Sequence, residues 1–458
     1  MAVRYNPNPV RTQEPLCQVN TWDEVETSSL YTVECNGQAQ TVYHTDSFDY
    51  VIPVVRDDSP LQVTVQVHKP FEEAVVRPAK AGILPKREGE RLSLSLPRPQ
   101  KLTLELDGDL KTPLYILCTH WAPKPEKVDH LFESGKIYNV GVLHVKAGET
   151  VYLEEGCMVF GCIDAFIADG IRILGNGVLN GCVWHPKEEN GGKPMIRMVL
   201  CNHIQIQGIT VVDGGQWHVL PGACQNVEID DINIMSRVCT GDGIDIVGCE
   251  HVALRHSFIR ASDDCVCIKA ASHPDPAANR DVRDIRVEHC VLWNAEPGNA
   301  VEIGYEVRCD EVCDILFKDI DIVHCEYEGN QSGGVLTIHN ADRPYIHDIV
   351  YEDIRIEDAQ EKFIDIKVLD SKYSLDRKRG RVEKIYFKNI EILNGAFPVS
   401  IIRGFEMANE MSRPQDFYFD HVVILGQEMR SPNEMRMVVE LAHNLHFGEQ
   451  IYSARNPF

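Results

Sequence analysis

Between Thr240 and Lys269 the chain reads TGDGIDIVGCEHVALRHSFIRASDDCVCIK. An Asp-Gly-x-Asp turn, carrying Asp242 and Asp245, precedes the adjacent pair Asp263 and Asp264 by 21 residues, with β-type sequence between them. Acids brought this close cannot all ionise as isolated groups, because mutual repulsion raises at least one pKa and leaves a proton to donate while another carboxylate stays basic. Glycosidic hydrolysis asks for such a set: an acid for the leaving oxygen and a base for a water, roughly 6.5–9.5 Å apart when the product inverts. Other readings of the spacing remain open at this stage. Asp242 and Asp245 suit an Asx-turn or ladder position, Asp263 and Asp264 a turn bonded to backbone amides, and clustered carboxylates also bind calcium.

Those acids need a scaffold that returns the chain to the same place. From about residue 126 the sequence repeats an apolar-x-apolar strand: IRI at 171, IQI at 204, VEI at 227, VAL at 252, IRV at 285, ILF at 315, IVY at 349, IYF at 385 and FYF at 417. Most are followed within four or five residues by a second strand, such as GITVVDG, DINIMS or HSFIRAS. A period in the low twenties with longer excursions, and two or three strands per period, predicts a right-handed parallel β-helix. Asp242 stands 15 residues after its strand start, and Asp263 and Asp264 stand 11 and 12 after theirs, so adjacent coils bring the three together. Cys201, Cys224 and Cys249 each precede a strand start by three residues and predict an interior ladder of packed thiols. The excursions around 181–193 and 270–281 are expected to wall the groove, closing one end for exo attack on short oligosaccharides. DRKRGR, within 370–381, reads as a solvated loop tip in preference to a substrate contact.

Before the repeat, residues from about 28 to 120 alternate apolar and polar positions in short runs, among them LYTVEC, LQVTVQVH, RLSLSL and KLTLELDG. About eight antiparallel strands with one wet face are expected, forming a β-sandwich. The two prolines of WAPKPEKVDH place the domain junction, giving residues 1–125 to the lead-in and sandwich and 126–458 to the β-helix. The fold class is therefore all-β. The balance of 45 basic against 69 acidic residues, −24 in all, argues against nucleic acid or an anionic membrane as partner. No apolar run reaches the length of a membrane span, and MAVRYNPNPVRTQEPL offers no signal-peptide core, so a cytoplasmic location is expected unless a leader was removed. The 16 cysteines include no CxxC pair, only Cys265-Val-Cys267 and Cys309-x3-Cys313, which predicts free thiols and no zinc site.

The stretch from about Met195 to Gly304 resembles the polygalacturonase-like glycoside hydrolases of family 28, through GGQWHVLPGACQNVEI, TGDGID, SDDCVCIK and GNAVEIG. That resemblance implies Asp263 as general acid, with Asp242 and Asp264 holding and deprotonating the water. It makes Lys269 a structural or electrostatic support, and Trp217, with its neighbour His218, a turn aromatic that either stacks on sugar or packs under a loop. The family's Asn-Thr-Asp turn is replaced here by Thr240-Gly241-Asp242, and the histidine of its Gly-His-Gly turn by Asn299. No Arg-x-Lys follows on the next coil, where the segment reads GGVLTIHN. In pectin-cleaving members those basic groups hold the substrate carboxylate, so their loss implies a neutral sugar. His339 and Asn340 then occupy the place of the basic pair, Glu302 and Glu306 flank the Asn299 turn as hydroxyl ligands, and Asp245 joins the substrate set. His339 equally fits a satisfied core histidine. A sandwich before a β-helix with this acid triad is also similar to the dextranase and isopullulanase group of family 49, which acts on neutral α-glucans.

The expectation is thus a glycoside hydrolase, inverting, acting on a neutral or weakly charged oligo- or polysaccharide without metal or cofactor. Carbohydrate is the expected partner, and a homo-oligomer is compatible with the sequence. The competing classes are a polygalacturonase-type hydrolase, a β-helix lyase or epimerase, and a non-catalytic carbohydrate-binding β-helix. A lyase needs cation or Arg/Lys neutralisation of a uronate, which the missing basic cluster disfavours.

Overall fold

The computed structural model describes residue 15 and residues 17–185, 192–270, 280–326, 333–360, 362–407 and 410–454. Parts of the expected groove walls, 186–191 and 271–279, lie outside the described residues. The repeat resolves into one 30-stranded system wound as a parallel β-helix with three sheets. The apolar-x-apolar motifs form the first sheet in the register that their alignment predicts. Ile204, Val227, Val252, Ile285, Ile315, Ile349, Ile385, Phe417 and Leu445 are successive partners. Each coil alone exposes an apolar inner face, and stacking on its neighbour removes it from water. Inside, Phe317, Tyr351, Phe387 and Phe419 stack ring on ring at 5.2, 5.2 and 5.0 Å. The expected thiol ladder is present: Cys201, Cys224 and Cys249 are buried and free, and the Cys224 amide donates to Cys249 Sγ at 3.3 Å.

The N-terminal unit is a sandwich of two five-stranded sheets. Its outer sheet, ordered Gln38–Gln40, Tyr31–Cys35, Leu61–Val67, Arg91–Leu96, Lys86–Glu88, alternates buried and exposed residues as a one-sided sheet should. The inner sheet departs from the expectation. Phe48–Val51 pairs in parallel with Leu114–Leu117, and Lys101–Leu106 is buried along its whole length. The reason is that this sheet has no wet face: it lies against the second sheet of the β-helix. Phe48, Tyr50, Tyr115 and Leu117 pack with Met158, Phe160, Met235, Phe258 and Trp293. Lys101 crosses the junction to Asp231 at 2.7 Å and to Asn233 Oδ1 at 2.8 Å, and Arg77 reaches Glu357 at 2.5 Å. The sandwich strands end at Leu117 and the first β-helix strand is His130–Phe132. Among the described residues no helix is long and apolar enough to cross a membrane.

Tyr115 is the hinge of this contact, 5.3 Å from Phe258 and edge-on to Trp293 at 5.7 Å. Tyr115→Ala is expected to cost about 3–5 kcal/mol, the usual range for a buried aromatic truncation. Calorimetry should show a lower midpoint or a separate sandwich transition, and an unchanged endotherm would contradict the packing described.

Candidate active site

The third sheet carries the acids. Its strands Ile244–Val247, Val266–Ala270, Val301–Val307, Leu336–Asn340 and Lys362–Val368 pair in parallel. Ile244, Val266, Val301, Leu336 and Ile364 share one row and belong to the core. Period-two alternation then turns the next row outward: Asp245, Cys267, Glu302, Thr337 and Asp365. The same alternation points Lys269, His339 and Lys367 outward, two positions further along their strands.

At one edge of this sheet Asp242, Asp263 and Asp264 meet, one carboxylate oxygen of each within 4.8 Å of the other two. Asp263 is the most exposed of the three, and its Oδ2 accepts the Thr240 amide at 3.1 Å. Asp264 Oδ1 accepts both the Asn299 amide at 3.0 Å and Asn299 Nδ2 at 2.6 Å. Asp242 Oδ2 accepts from Lys269 Nζ at 3.1 Å, while its buried Oδ1 has no protein partner among the described residues. Backbone placement is as tight. The Asp242 carbonyl accepts from both the amide and Nδ1 of His218, at 2.9 and 3.1 Å. Gly298, at φ +110°, must be glycine, because a Cβ there would lie 2.2 Å from the Asp263 carbonyl carbon.

Buried acids in such number need compensation. Lys269 Nζ sits 2.8 Å from Asp245 and 3.1 Å from Asp242, with the Trp217 ring 4.2 Å from the ammonium. Burial alone would strip its proton; the Asp245 and Asp242 charges reverse this and hold the ammonium. Among the described residues no ion pair forms at Asp264, and Lys269 acts on it only from a distance. Burial, with Asp242 and Glu302 adding repulsion, pushes its carboxyl up to about 8. The cluster therefore carries a proton at neutral pH, shared among coupled carboxyls and owned by none of them alone.

The remaining sequence candidates divide by position. His218 is fully buried, its Nε2 accepts the Gly214 amide at 3.1 Å, and burial lowers its pKa to about 4, so it is a neutral brace under the Asp242 turn. Trp217 packs with Val199, Leu220 and Val247 beneath Lys269. Asn299 is used on Asp264 and, through Oδ1, on the Gly334 amide at 2.9 Å. Asn340 Nδ2 donates to the Pro344 and Arg381 carbonyls at 3.0 and 3.2 Å. Glu306 is partly exposed, with burial raising its carboxyl. His339 is fully buried between two acids: Nδ1 lies 2.9 Å from Glu302, whose other contact is the Thr337 hydroxyl, and Nε2 lies 3.5 Å from Asp365. Burial opposes its charge, but Glu302 and Asp365 overcome this and raise it to about 9, making it an imidazolium at neutral pH.

The same row contains groups that the sequence reading did not single out. Asp365 receives Lys367 at 2.8 Å and Lys362 at 3.2 Å, and His339 and Lys367 hold its carboxyl well below the usual range despite burial. Tyr305 stacks on His339 at 4.6 Å and meets Tyr373, from the 370–381 loop, at 5.3 Å. Asp376 of that loop bridges to Arg343 at 2.9 Å, while Arg377 and Lys378 are exposed, as in a solvated tip. The signal available for Asp365 and Lys367 was the alternation in FIDIKV, legible only once that strand was aligned with LTIHN.

The family model for glycosyl hydrolases family 28 matches residues 137–395, and the chain belongs to that family. A probable polygalacturonase of Arabidopsis thaliana is 23% identical over 229 residues, 48% of this chain and 47% of the relative. A polygalacturonase of Cryptomeria japonica is 21% identical over 239 residues, 48% of this chain and 44% of the relative. The chain thus spans about half the length of these curated relatives. In fold it is similar to Dex49A from Penicillium minioluteum, at a TM-score of 0.64 and 12% identity, with 93% of each chain covered.

Two outcomes follow from the site's strain and charge. Thr240 holds φ +77°, a left-handed conformation that a β-branched residue adopts only at a cost and that asparagine tolerates. Thr240→Asn is expected to stabilise the fold by about 1 kcal/mol, read as a higher denaturant midpoint, with the 240 amide still on Asp263. Because the folded state keeps a proton near Asp264 that the unfolded chain releases, this group's effect is to lower stability as pH rises from about 4 to about 8. Asp264→Asn should flatten that decline in unfolding midpoints measured across the window.

Proposed function

We propose that the protein is a glycoside hydrolase of a neutral or weakly charged glycan, using Asp263 as general acid and Asp242 with Asp264 to hold and deprotonate the attacking water. The observation that carries this reading is the meeting of three aspartates within 4.8 Å, one partly exposed and two buried. Asp263 faces the leaving oxygen, Asn299 orients Asp264, and Asp242, with Lys269 Nζ at 3.1 Å, accepts the water's proton. Inversion is part of the proposal and rests on the resemblance to family 28. The closest-oxygen spacing is tighter than the roughly 6.5–9.5 Å expected between an inverting acid and base. The anomer of the first product, followed by proton NMR, decides it.

The preference for a neutral sugar is supported by the charge of the groove. Among the described residues from Asp242 to Asp365 it is lined by seven acidic side chains, Asp242, Asp245, Asp263, Asp264, Glu302, Glu306 and Asp365. Four cationic groups oppose them, Lys269, His339, Lys362 and Lys367, and carboxylates engage each one. A polyanion would enter a field of its own sign. The uronate reading has one observation in its favour, the polygalacturonase names of the sequence relatives. A cytoplasmic location belongs to the same proposal and is supported by the stacked free thiols.

Asp263→Asn should lower kcat by about 10²–10⁴-fold, the usual worth of a positioned acid, with a thermal midpoint close to the parent's. A collapse in stability with activity retained would sink the assignment. Reducing-end release should appear with neutral α-glucan oligosaccharides and not with oligogalacturonides; the opposite result would establish the uronate reading.

A further inference from the structure

On the first sheet, a different sheet from the one that carries the acids, the long strands Glu311–Cys325 and Tyr345–Ile356 stack in parallel with Cys313 opposite His347. Glu311 lies two residues before Cys313 on the same face. One donor atom each from Glu311, Cys313 and His347 falls within 4.8 Å of the others. We propose that these three side chains form a binding site for a zinc-class divalent cation that clasps the two coils together.

Three observations carry it. The donor set is a thiol, an imidazole and a carboxylate, the mixture that zinc-class ions take in preference to calcium or magnesium. The imidazole is already aimed. His347 Nε2 lies 2.9 Å from Glu311 Oε1, while Nδ1 faces Asp348 at 2.6 Å, the carboxylate–histidine arrangement that orients a metal-ligating ring. The spacing also suits a tetrahedral ion, whose bonds of about 2.0–2.3 Å place its donors about 3–4 Å apart. Arg283 engages Glu311 through Oε2 at 2.5 Å, so Oε1, which faces His347 Nε2, is the oxygen turned toward the proposed ion. Binding replaces protons with a metal: the Cys313 thiol, pushed up to about 12 by burial, and the hydrogen bond between His347 Nε2 and Glu311 Oε1 each give up a proton to solvent as the sulfur–metal and nitrogen–metal bonds form. The fourth position is left to water, as in an open zinc site.

Sequence spacing could not reveal this, since Cys313 finds its partner one coil later and not in a nearby CxxC pair. The test uses the full-length protein stripped with chelator, then titrated with Zn²⁺ and, separately, with Co²⁺. One equivalent should bind and raise the thermal midpoint, and the cobalt form should show a thiolate charge-transfer band. Cys313→Ser should remove that band, His347→Ala should abolish tight binding, and Asp348→Asn should weaken it about 10–100-fold. Circular dichroism of each metal-free variant should match the parent. Failure to bind either ion overturns the proposal. So does binding that survives Cys313→Ser and is lost in Asp242→Asn, which would place the ion in the acid triad.

Discussion

The structure depends on one constraint, the fixed register of parallel strands that repeat about every 4.8 Å and alternate inward and outward. The polar row beside the triad is written on the outward positions of the third sheet, and the cohesive row on its inward positions. Ile244, Val266, Val301, Leu336 and Ile364 fill the interior, and one position further along each strand come Asp245, Cys267, Glu302, Thr337 and Asp365. A slip of one residue would bury the acids in the core and expose the isoleucines, so core packing and site geometry are enforced by the same hydrogen bonds.

On that frame the groove is organised by pairing. Lys269 answers Asp242 and Asp245, His339 answers Glu302 and Asp365, and Lys362 and Lys367 complete Asp365. Buried charges persist only when such partners offset desolvation. Pairing does not fully offset burial: Asp245 is pushed well above its ordinary value despite Lys269, and Asp264, held by the Asn299 donors, is pushed up as well. A proton is thus retained beside Asp263, the one partly exposed member of the triad. His218, Asn299 and Gly298 contribute by holding backbone and carboxylates in place, which is why each lies beneath the acids and none projects into the groove.

The sandwich serves the same end from the opposite side. The β-helix face formed by Met235, Phe258 and Trp293 is apolar outside as well as inside, and the inner sandwich sheet covers it. Two layers then back the coils that carry the triad, and Arg237, which reaches Asp213 at 2.5 Å and Asp46 at 2.7 Å, ties the sandwich to the coils beside that turn.

Sequence alone determined the scaffold and the acids. The apolar-x-apolar repeat fixes the first sheet because inward positions tolerate little else, and counting from each strand start puts Asp242, Asp263 and Asp264 on adjacent coils. The thiol ladder followed from the same count. Tertiary structure decided what each polar neighbour does. Asn299, His218 and Asn340 are as suited to touching a ligand as to bracing a turn, and only their hydrogen bonds assign them to bracing. His339 fits both readings because burial between Glu302 and Asp365 makes it at once satisfied and charged. Asp365, Lys362 and Lys367 pair within one strand, but the His339 that joins them to the site lies a coil away, and the Cys313–His347 pairing was hidden for that same reason. Local spacing encodes which way a side chain faces; which side chain it faces is set by the length of each intervening loop and the register with which the next coil lands.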